Sequence, residues 1–240
     1  MVKKPLVIAH RTAPAYAPEN SIEGIRTSFE QDADGVEIDL RLSLDQRQFL
    51  MHDNLMTRTT GWPLPLELTP SFFIQKQRLK GSKEVVPNLS QVLDALPDEK
   101  LLAVDIKTPW AVIALARSVK RRGIATRTLV WCSSAIAVKY ATRRNLDWEV
   151  AHYKDFEDDG SNRVFVEHAR EIGAHAVSLD WRAIDADLVA FIHELGLKAY
   201  SWHKEYDLTE SKLAAGLDGL ITDYPAMTRE AIESQHWENV

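Results

Sequence analysis

The chain has 240 residues, of which 45% are hydrophobic and 27% are charged. This composition is typical of a globular protein that buries a sizeable core, and it argues against a disordered chain. The formal net charge is -6 and the basic residues are mostly scattered, which disfavours nonspecific binding to nucleic acid. The length permits two small domains, but one α/β barrel is routinely this long. We therefore expect one domain over residues 1–240.

The only cysteine, Cys132, cannot form an intrachain disulfide. It follows Trp131 in an apolar run, where a thiol is more often a core residue than a nucleophile. We therefore expect a reducing compartment and a cytoplasmic location. The apolar stretch near the N-terminus is too short for a signal peptide, and no run of about twenty apolar residues predicts a membrane span. The oligomeric state is left open.

Short apolar runs alternate with helical patterns along the chain. Strands are predicted at residues 5–9, 35–42, 100–107, 127–132, 148–153, 174–180, 197–202 and 218–224. Helices are predicted at 21–31, 89–96, 109–123, 134–144, 162–173, 186–196, 208–216 and 225–234. Eight such repeats favour a parallel sheet closed into a TIM (β/α)8 barrel. No Gly-rich dinucleotide loop follows a strand, which disfavours an open doubly wound sheet.

Residues 54–88 interrupt this alternation. A short strand-like extension at 47–53 precedes them, and the segment itself contains several prolines but no clear strand pattern. We interpret it as a small insertion after the second strand that lies over the barrel mouth. The alternative is a long surface loop.

The second predicted strand, GVEIDLRLS at 35–43, alternates apolar and polar residues. Because a strand has a period of two, Glu37 and Asp39 share one face while Val36 and Ile38 share the other. On a solvent-facing strand the two acids would have no functional meaning. In a barrel, where helices cover the outer wall, the apolar face points outward and the acids point inward.

Polar residues recur at the predicted carboxyl ends of the strands, where TIM barrels carry their chemistry. They are His10, Arg11, Glu37, Asp39, Arg41, Asp105, Lys107, Ser178, Asp180 and Trp202. His52 follows the extension of the second strand. We expect these side chains to converge on one site.

Three of these residues, Glu37, Asp39 and Asp105, are carboxylates that would repel one another in a narrow barrel unless a cation offset them. They are hard oxygen ligands without a competing Cys/His cluster, which points to one divalent cation, Mg²⁺ or Ca²⁺. Arg11 and Lys107 add permanent positive charge beside them, a combination suited to a phosphate or another oxyanion.

His10 and His52 suit general acid and base catalysis, because imidazole titrates near neutral pH. Taken alone, a histidine at a strand end is more often a hydrogen-bonded structural residue.

The other candidates also have structural interpretations. Arg11 can pair with Glu19, Lys107 can cap a helix or pair with Asp105, and Trp202 can be a packing residue. Their joint position at one end of a barrel favours a site.

Six segments in order resemble the motifs of the glycerophosphodiester phosphodiesterase family. They are HRTAPAYAPENS, DADGVEIDLRLSLDQ, FLMHDNLMTRTTG, VPNLSQVL, VDIK and DGLITDYP, and they extend from His10 to Pro225. The resemblance implies a TIM barrel with a small insertion. It also implies metal-dependent hydrolysis of a small glycerophosphodiester to glycerol 3-phosphate and an alcohol.

By position, the resemblance implies metal ligands at Glu37, Asp39 and Asp105 and a catalytic pair at His10 and His52. One histidine would take a proton from the attacking hydroxyl, and the other would protonate the departing alcohol.

The resemblance further implies that Arg11 and Lys107 hold phosphate oxygens and that Trp202 lines the glycerol or leaving-group side of the site.

The chain departs from the family's usual pattern at several positions. Thr12 and Gln46 stand where the family usually has Gly, and Asp105 stands where it usually has Glu. The shorter Asp105 puts metal affinity or metal choice in question. The segment SWHKEYD also differs and places His203, Lys204 and Glu205 near the rim.

Two other functions are compatible with these residues. The first is a lysophospholipase D-type enzyme, which would need an apolar channel. The apolar residues of the insertion either form one or, as we favour, pack on the barrel; they are Trp62, Leu64, Leu66, Phe72, Phe73 and Ile74. The second is a phosphoglycerol-binding barrel without catalysis.

Overall fold

Eight parallel strands close into a barrel, as the sequence predicts. The computed structural model describes residues 4–154, 160–203 and 208–235. The strands are β1 (Leu6–Ala9), β2 (Gly35–Leu42), β3 (Gln48–Leu50), β4 (Leu101–Ile106), β5 (Thr128–Cys132), β6 (Glu149–Tyr153), β7 (Ala176–Asp180), β8 (Lys198–His203) and β9 (Gly219–Thr222). Their order is β1-β9-β8-β7-β6-β5-β4-β2-β3, and pairing of β1 with β2 closes the ring. β3 lies outside it, antiparallel to β2.

Helices follow the barrel strands and cover the outside, apart from two short helices within residues 54–88. They are α1 (Ile22–Glu30), α2 (Thr57–Thr60), α3 (Ser71–Ile74), α4 (Leu89–Ala95), α5 (Ala111–Arg122), α6 (Ala135–Thr142), α7 (Asn162–Glu171), α8 (Ala186–Glu194), α9 (Glu210–Leu213) and α10 (Pro225–Glu233). The helix predicted at 208–216 is shorter in the structure, because only Glu210–Leu213 is helical. Within the described residues, none of the helices combines the length and apolarity that crossing a bilayer requires.

Local sequence explains several helix ends. Ser21 caps α1 by accepting a hydrogen bond from the Gly24 amide, and Asn88 and Gln91 form a capping box at α4. Gly123 ends α5 in the left-handed conformation that glycine adopts without steric cost.

The two faces of the barrel strands carry separate cores. Val36, Ile38 and Val104 face outward and pack in the large cluster beneath the helices. Inside the barrel, a smaller apolar cluster includes Ala103 and Tyr200. Inward-pointing side chains therefore fill the lower barrel, and the outward aliphatic residues bury the helices, as strand alternation requires.

The insertion at 54–88 forms α2, α3 and a small core of its own with β3. This core contains Phe49, Met51, Met56, Leu66, Ile74, Leu79 and Val86. An ion pair ties the insertion to the barrel mouth, because Arg41 Nη1 lies 2.7 Å from Glu67 Oε1. Glu67 also accepts a hydrogen bond from Thr108, which follows β4. The segment is therefore a packed unit and not an irregular surface loop.

Candidate active site

The carboxyl ends of the barrel strands open into a cavity of about 380 Å³. Seven of the eight residues predicted for the site line it: His10, Arg11, Glu37, His52, Asp105, Lys107 and Trp202. The eighth, Asp39, is buried beside them, with only 1% of its surface exposed. Asp39 and Asp105 are paired in register on the neighbouring strands β2 and β4, so their side chains point to the same side of the sheet.

Three carboxylates form a compact buried cluster. Glu37, Asp39 and Asp105 each offer one oxygen, and these oxygens all lie within 4.8 Å of one another. Across the described ranges, no other group of three or more acidic, His or Cys side chains has this proximity. Asp105 reaches the cluster even though it is one methylene shorter than the glutamate typical of the family.

Asp39 is ionised, and both of its carboxylate oxygens have charged or hydrogen-bonding partners. Its Oδ1 lies 3.1 Å from Lys107 Nζ, and its Oδ2 accepts a 2.7 Å hydrogen bond from Asn20 Nδ2 and lies 3.4 Å from Arg11 Nε. Burial by itself raises the pKa of Asp39, but the charges of Lys107 and Arg11 and the Asn20 hydrogen bond outweigh it. The pKa of Asp39 therefore lies well below its usual range.

Glu37 and Asp105 lack this degree of compensation. Burial and the charges of Asp39 and Asp105 raise the pKa of Glu37 well above its usual value, although Glu37 Oε2 accepts a 2.7 Å hydrogen bond from the Arg11 amide. Burial also raises the pKa of Asp105, against the opposing charge of Lys107. Full ionisation of all three carboxylates would thus place more negative charge in the cluster than its neighbours neutralise.

The donor set fits a hard divalent cation. Asp105 Oδ1 is buried and has no hydrogen-bond partner, while Asp105 Oδ2 lies 2.5 Å from Lys107 Nζ. An unpartnered carboxylate oxygen among two further carboxylates is a costly arrangement unless a cation satisfies it. Oxygen ligands of this kind are those that Mg²⁺ and Ca²⁺ prefer.

Lys107 and Arg11 supply positive charge at the cavity wall. Burial lowers the pKa of Lys107, but Asp105 and Asp39 raise it by more, so that Lys107 stays protonated. Arg11 does not pair with Glu19, as one structural interpretation allowed, because Glu19 binds Arg58 instead. The predicted pairing of Lys107 with Asp105 is present.

His10 sits at the end of β1 against a carboxylate that the sequence analysis did not assign. His10 Nδ1 lies 2.6 Å from Asp223 Oδ1, just beyond β9. The register pairs Ala9 with Thr222, which places the next residue of each strand side by side. Asp223 belongs to the DGLITDYP motif. Its position at the end of the last strand could have identified it as a candidate site residue.

His52 is held by its neighbour and by the second strand. His52 Nδ1 lies 2.7 Å from Asp53 Oδ1, and Arg41 donates to the His52 carbonyl oxygen through Nε at 3.1 Å and Nη2 at 2.8 Å. Burial lowers the pKa of His52 and outweighs the opposing charge of Asp39 and the hydrogen bond to Asp53, while the charges of Lys107 and Arg11 lower the pKa further. His52 is therefore favoured as a neutral imidazole.

Thr12, which stands where the family usually has Gly, lies in the loop after β1 in a strained backbone conformation. Thr12 adopts a φ of 64°, a left-handed conformation that is unusual for a β-branched residue. Thr12 Oγ1 accepts a 3.2 Å hydrogen bond from the Ser21 amide. A Cβ on Gly24 would lie 2.4 Å from the Thr12 carbonyl oxygen, so that glycine is required opposite this loop. Gln46 is likewise left-handed, with a φ of 62°.

Two other strand-end residues differ in outcome. Ser178 lines the cavity, but Asp180 caps the turn after β7 by accepting hydrogen bonds from the backbone and side chain of Arg182. Its carboxylate is therefore not one of the cluster. Of the residues expected near the rim, His203 ends β8, and Lys204 and Glu205 lie outside the described residues.

Comparison with known proteins places the chain in a family. The model of the glycerophosphoryl diester phosphodiesterase family matches residues 10–227. A glycerophosphodiester phosphodiesterase of Bacillus subtilis is 30% identical over 92% of this chain and 84% of its own, and one of Caldanaerobacter subterraneus is 27% identical over 92% of this chain and 95% of its own.

Solved structures share the fold. A phosphodiesterase of Oleispira antarctica, in complex with the product sn-glycerol-3-phosphate, superposes with a TM-score of 0.82 at 21% identity. That similarity covers 96% of this chain and 97% of the other. Since the family model spans nearly the whole chain, the chain belongs to the glycerophosphoryl diester phosphodiesterase family and is a phosphoric diester hydrolase.

Proposed function

We propose that this enzyme hydrolyses glycerophosphodiesters to glycerol 3-phosphate and an alcohol with the help of one divalent cation, Mg²⁺ or Ca²⁺. Glu37, Asp39 and Asp105 would hold the cation. The observation that carries the proposal is the unpartnered, buried Asp105 Oδ1 within a cluster of three carboxylates whose oxygens lie within 4.8 Å of one another.

The permanent charges of the chain would bind the phosphate. When bound, the cation supplies Lewis-acid polarisation of a phosphoryl oxygen. Arg11 and Lys107 donate to phosphate oxygens from the cavity wall and stabilise the negative charge that grows on them during attack. Trp202 lines the glycerol or leaving-group side of the same cavity.

His10 and His52 would move the protons. One imidazole accepts a proton from the attacking hydroxyl of a water molecule as its oxygen forms the new P–O bond, and the other donates a proton to the alcohol oxygen as the old P–O bond breaks, which leaves glycerol 3-phosphate and the alcohol. Both rings meet the cavity wall, and each binds a carboxylate through Nδ1. Each ring therefore keeps Nε2 for the substrate side.

The cavity favours a small, water-soluble diester over a lysolipid. No residue of the insertion at 54–88, all of which the structure describes, lines it. Leu66 and Ile74 are fully buried, whereas Trp62, Leu64, Phe72 and Phe73 are 40%, 44%, 56% and 44% exposed, so the favoured packing is only partly present; none of the six lines the cavity. Equal turnover of lysophosphatidylcholine and glycerophosphocholine would contradict this substrate choice.

A metal-screened assay tests the proposal. Wild-type enzyme should release glycerol 3-phosphate from glycerophosphocholine with Mg²⁺ or Ca²⁺ and lose this activity in EDTA. His52→Ala should lower kcat by about 100-fold or more, with the melting temperature unchanged because the ring is partly exposed.

Arg122→Ala is the matched control, because it removes an exposed ion pair with Asp94 outside the site. Tight binding of glycerol 3-phosphate without hydrolysis in any divalent metal would instead support the binding-only alternative. The cytoplasmic location stays a prediction, which cell fractionation would test.

A further inference from the structure

A chain of ionic hydrogen bonds runs from the ring of His52 to the loop before α1. Asp53 accepts from His52 Nδ1 at 2.7 Å and from Arg58 Nε at 2.6 Å, using a different oxygen for each. Arg58 then donates to both oxygens of Glu19, through Nη1 at 2.5 Å and Nη2 at 2.7 Å. One guanidinium is thus clamped between two carboxylates on opposite sides.

The hydrogen bond between His52 and Asp53 determines which ring nitrogen of His52 carries the proton. Burial raises the pKa of Asp53, but hydrogen bonds from Arg58 and His52 lower it further, to about 2. An ionised carboxylate only accepts hydrogen bonds, so His52 must carry its proton on Nδ1. The opposite nitrogen, Nε2, is then the one left for the cavity.

His52 needs this support more than His10 does. Asp223, the partner of His10, follows β9, and the pairing of Ala9 with Thr222 already fixes both residues. Asp53 instead lies in the loop between β3 and α2, where no barrel pairing holds it. Within the described residues, no arginine or lysine forms a salt bridge with Asp223, whereas Asp53 has Arg58.

Arg58 and Glu19 come from separate parts of the chain. Arg58 lies on α2 in the insertion and Glu19 lies in the loop after β1, 39 positions away. Their double hydrogen bond therefore ties the insertion to the loop after β1. A planar fork with two parallel bonds defines orientation as well as distance, which a single point charge does not.

We propose that Glu19 and Arg58 are positioning residues that lock Asp53 and thereby hold the His52 imidazole with Nε2 toward the substrate. This role rests on the proposed function, in which His52 transfers a proton. A ring displaced by about 1 Å loses much of the advantage of preorganised geometry, and loss of such supporting partners typically costs about 10–100-fold.

Steady-state kinetics with glycerophosphocholine provide the first test. Glu19→Gln and Arg58→Met should each lower kcat by about 10–100-fold with KM nearly unchanged, because neither side chain lines the cavity. The double variant should be no worse than Arg58→Met alone, since both substitutions break the same tie. Arg58→Lys should restore part of the loss. Arg122→Ala, which breaks the Asp94 ion pair, should leave kcat and KM unchanged.

NMR of ¹⁵N-histidine-labelled protein separates this role from general stability and from the reaction itself. The His52 signal, assigned by its loss in His52→Ala, should show Nδ1 protonated in the wild type and a mixture of tautomers in Arg58→Met. If Arg58→Met does not fold, the nearly isosteric Glu19→Gln decides.

An unchanged His52 tautomer together with kcat within twofold of wild type in Glu19→Gln would overturn the proposal. If the wild-type protein hydrolyses no glycerophosphodiester while Arg58→Met still shifts the His52 tautomer, the proposed function is contradicted and the positioning role remains.

Discussion

The inner and outer faces of β2 are equally buried but have opposite chemistry. Glu37 is 2% exposed and Ile38 is 0% exposed, although their side chains point to opposite sides of the barrel wall. Ile38 joins the aliphatic layer under the helices, whereas Glu37 joins the acidic cluster. Burial alone therefore does not distinguish structural from functional residues in this protein; the face of the strand does.

The two faces also contribute to stability with opposite signs. Burying an aliphatic side chain such as Ile38 stabilises the fold by about 1.5–3 kcal/mol. Burying an uncompensated carboxylate costs free energy, and the raised pKa of Glu37 is the expression of that cost. The inner face thus costs stability, which the proposed binding and catalytic roles of its residues would explain.

Glu37→Gln should have the largest effect on activity and should not weaken the fold. Loss of a ligand oxygen should lower kcat/KM by about 100-fold or more. Because the folded-state pKa of Glu37 is raised above its ordinary value of 4.5, the ionised side chain costs stability once the pH exceeds that value.

The metal-free variant should therefore melt at or above the wild-type temperature, and the difference should grow as the pH rises from about 4.5 toward neutrality. Thermal melts in EDTA at several pH values, together with an assay in Mg²⁺ and in Ca²⁺, measure both effects. Near-normal kcat/KM, or a large fall in melting temperature, would contradict the assignment of Glu37 to the inner site.

Ile38→Ala should give the reverse result. Truncation in the tightly packed outer core should lower the free energy of unfolding by about 2–5 kcal/mol, while kcat/KM per folded molecule stays within about threefold of wild type. Urea unfolding and kinetics at low temperature measure the two quantities. Ile38→Val serves as the graded control, with an expected cost of about 0.5–1.5 kcal/mol.

The difference between the two faces could be predicted from the sequence because it depends on a local rule. Strand alternation placed Glu37, Asp39 and Asp105 inside the barrel, and the structure brings their oxygens together. The eight barrel strands were likewise predicted, since apolar runs and helical patterns are properties of neighbouring residues.

Partners distant in the chain could not be predicted in the same way. The clamp of Arg58 on Glu19 joins residues 39 positions apart, and the contact of His10 with Asp223 spans 213 positions. Only the folded insertion and the closed barrel bring these atoms into contact. Asp180 is the opposite case. Its strand-end position predicted a site residue, but its carboxylate pairs with Arg182, two positions further on, in a turn.

The affinity for the cation should depend on pH with a definite sign. Burial raises the pKa values of Glu37 and Asp105, and a cation binds only the ionised carboxylates. Binding should therefore release protons, and the affinity should increase as the pH rises, by up to about tenfold per pH unit for each proton released.

Calorimetry of Mg²⁺ or Ca²⁺ binding in two buffers of different ionisation enthalpy counts these protons. Glu37→Gln should release fewer protons than wild type. Affinity that is constant between pH 5 and 8, with no buffer dependence, would show that the cluster is already ionised without the cation.

Cys132 provides the smallest and most specific test of the comparison, because it is a titratable side chain on the outer face. It is fully buried in the aliphatic layer, and burial, with a contribution from Asp105, raises the pKa of the thiol well above its usual value. A thiol reagent should therefore leave the native protein unmodified and react fully in urea, since only the thiolate reacts. Cys132→Ala should cost about 1 kcal/mol and leave kcat/KM unchanged. Rapid modification of the native protein would mean that solvent reaches the outer wall beside β5. The inner and outer faces would then differ less in environment than the closed barrel requires.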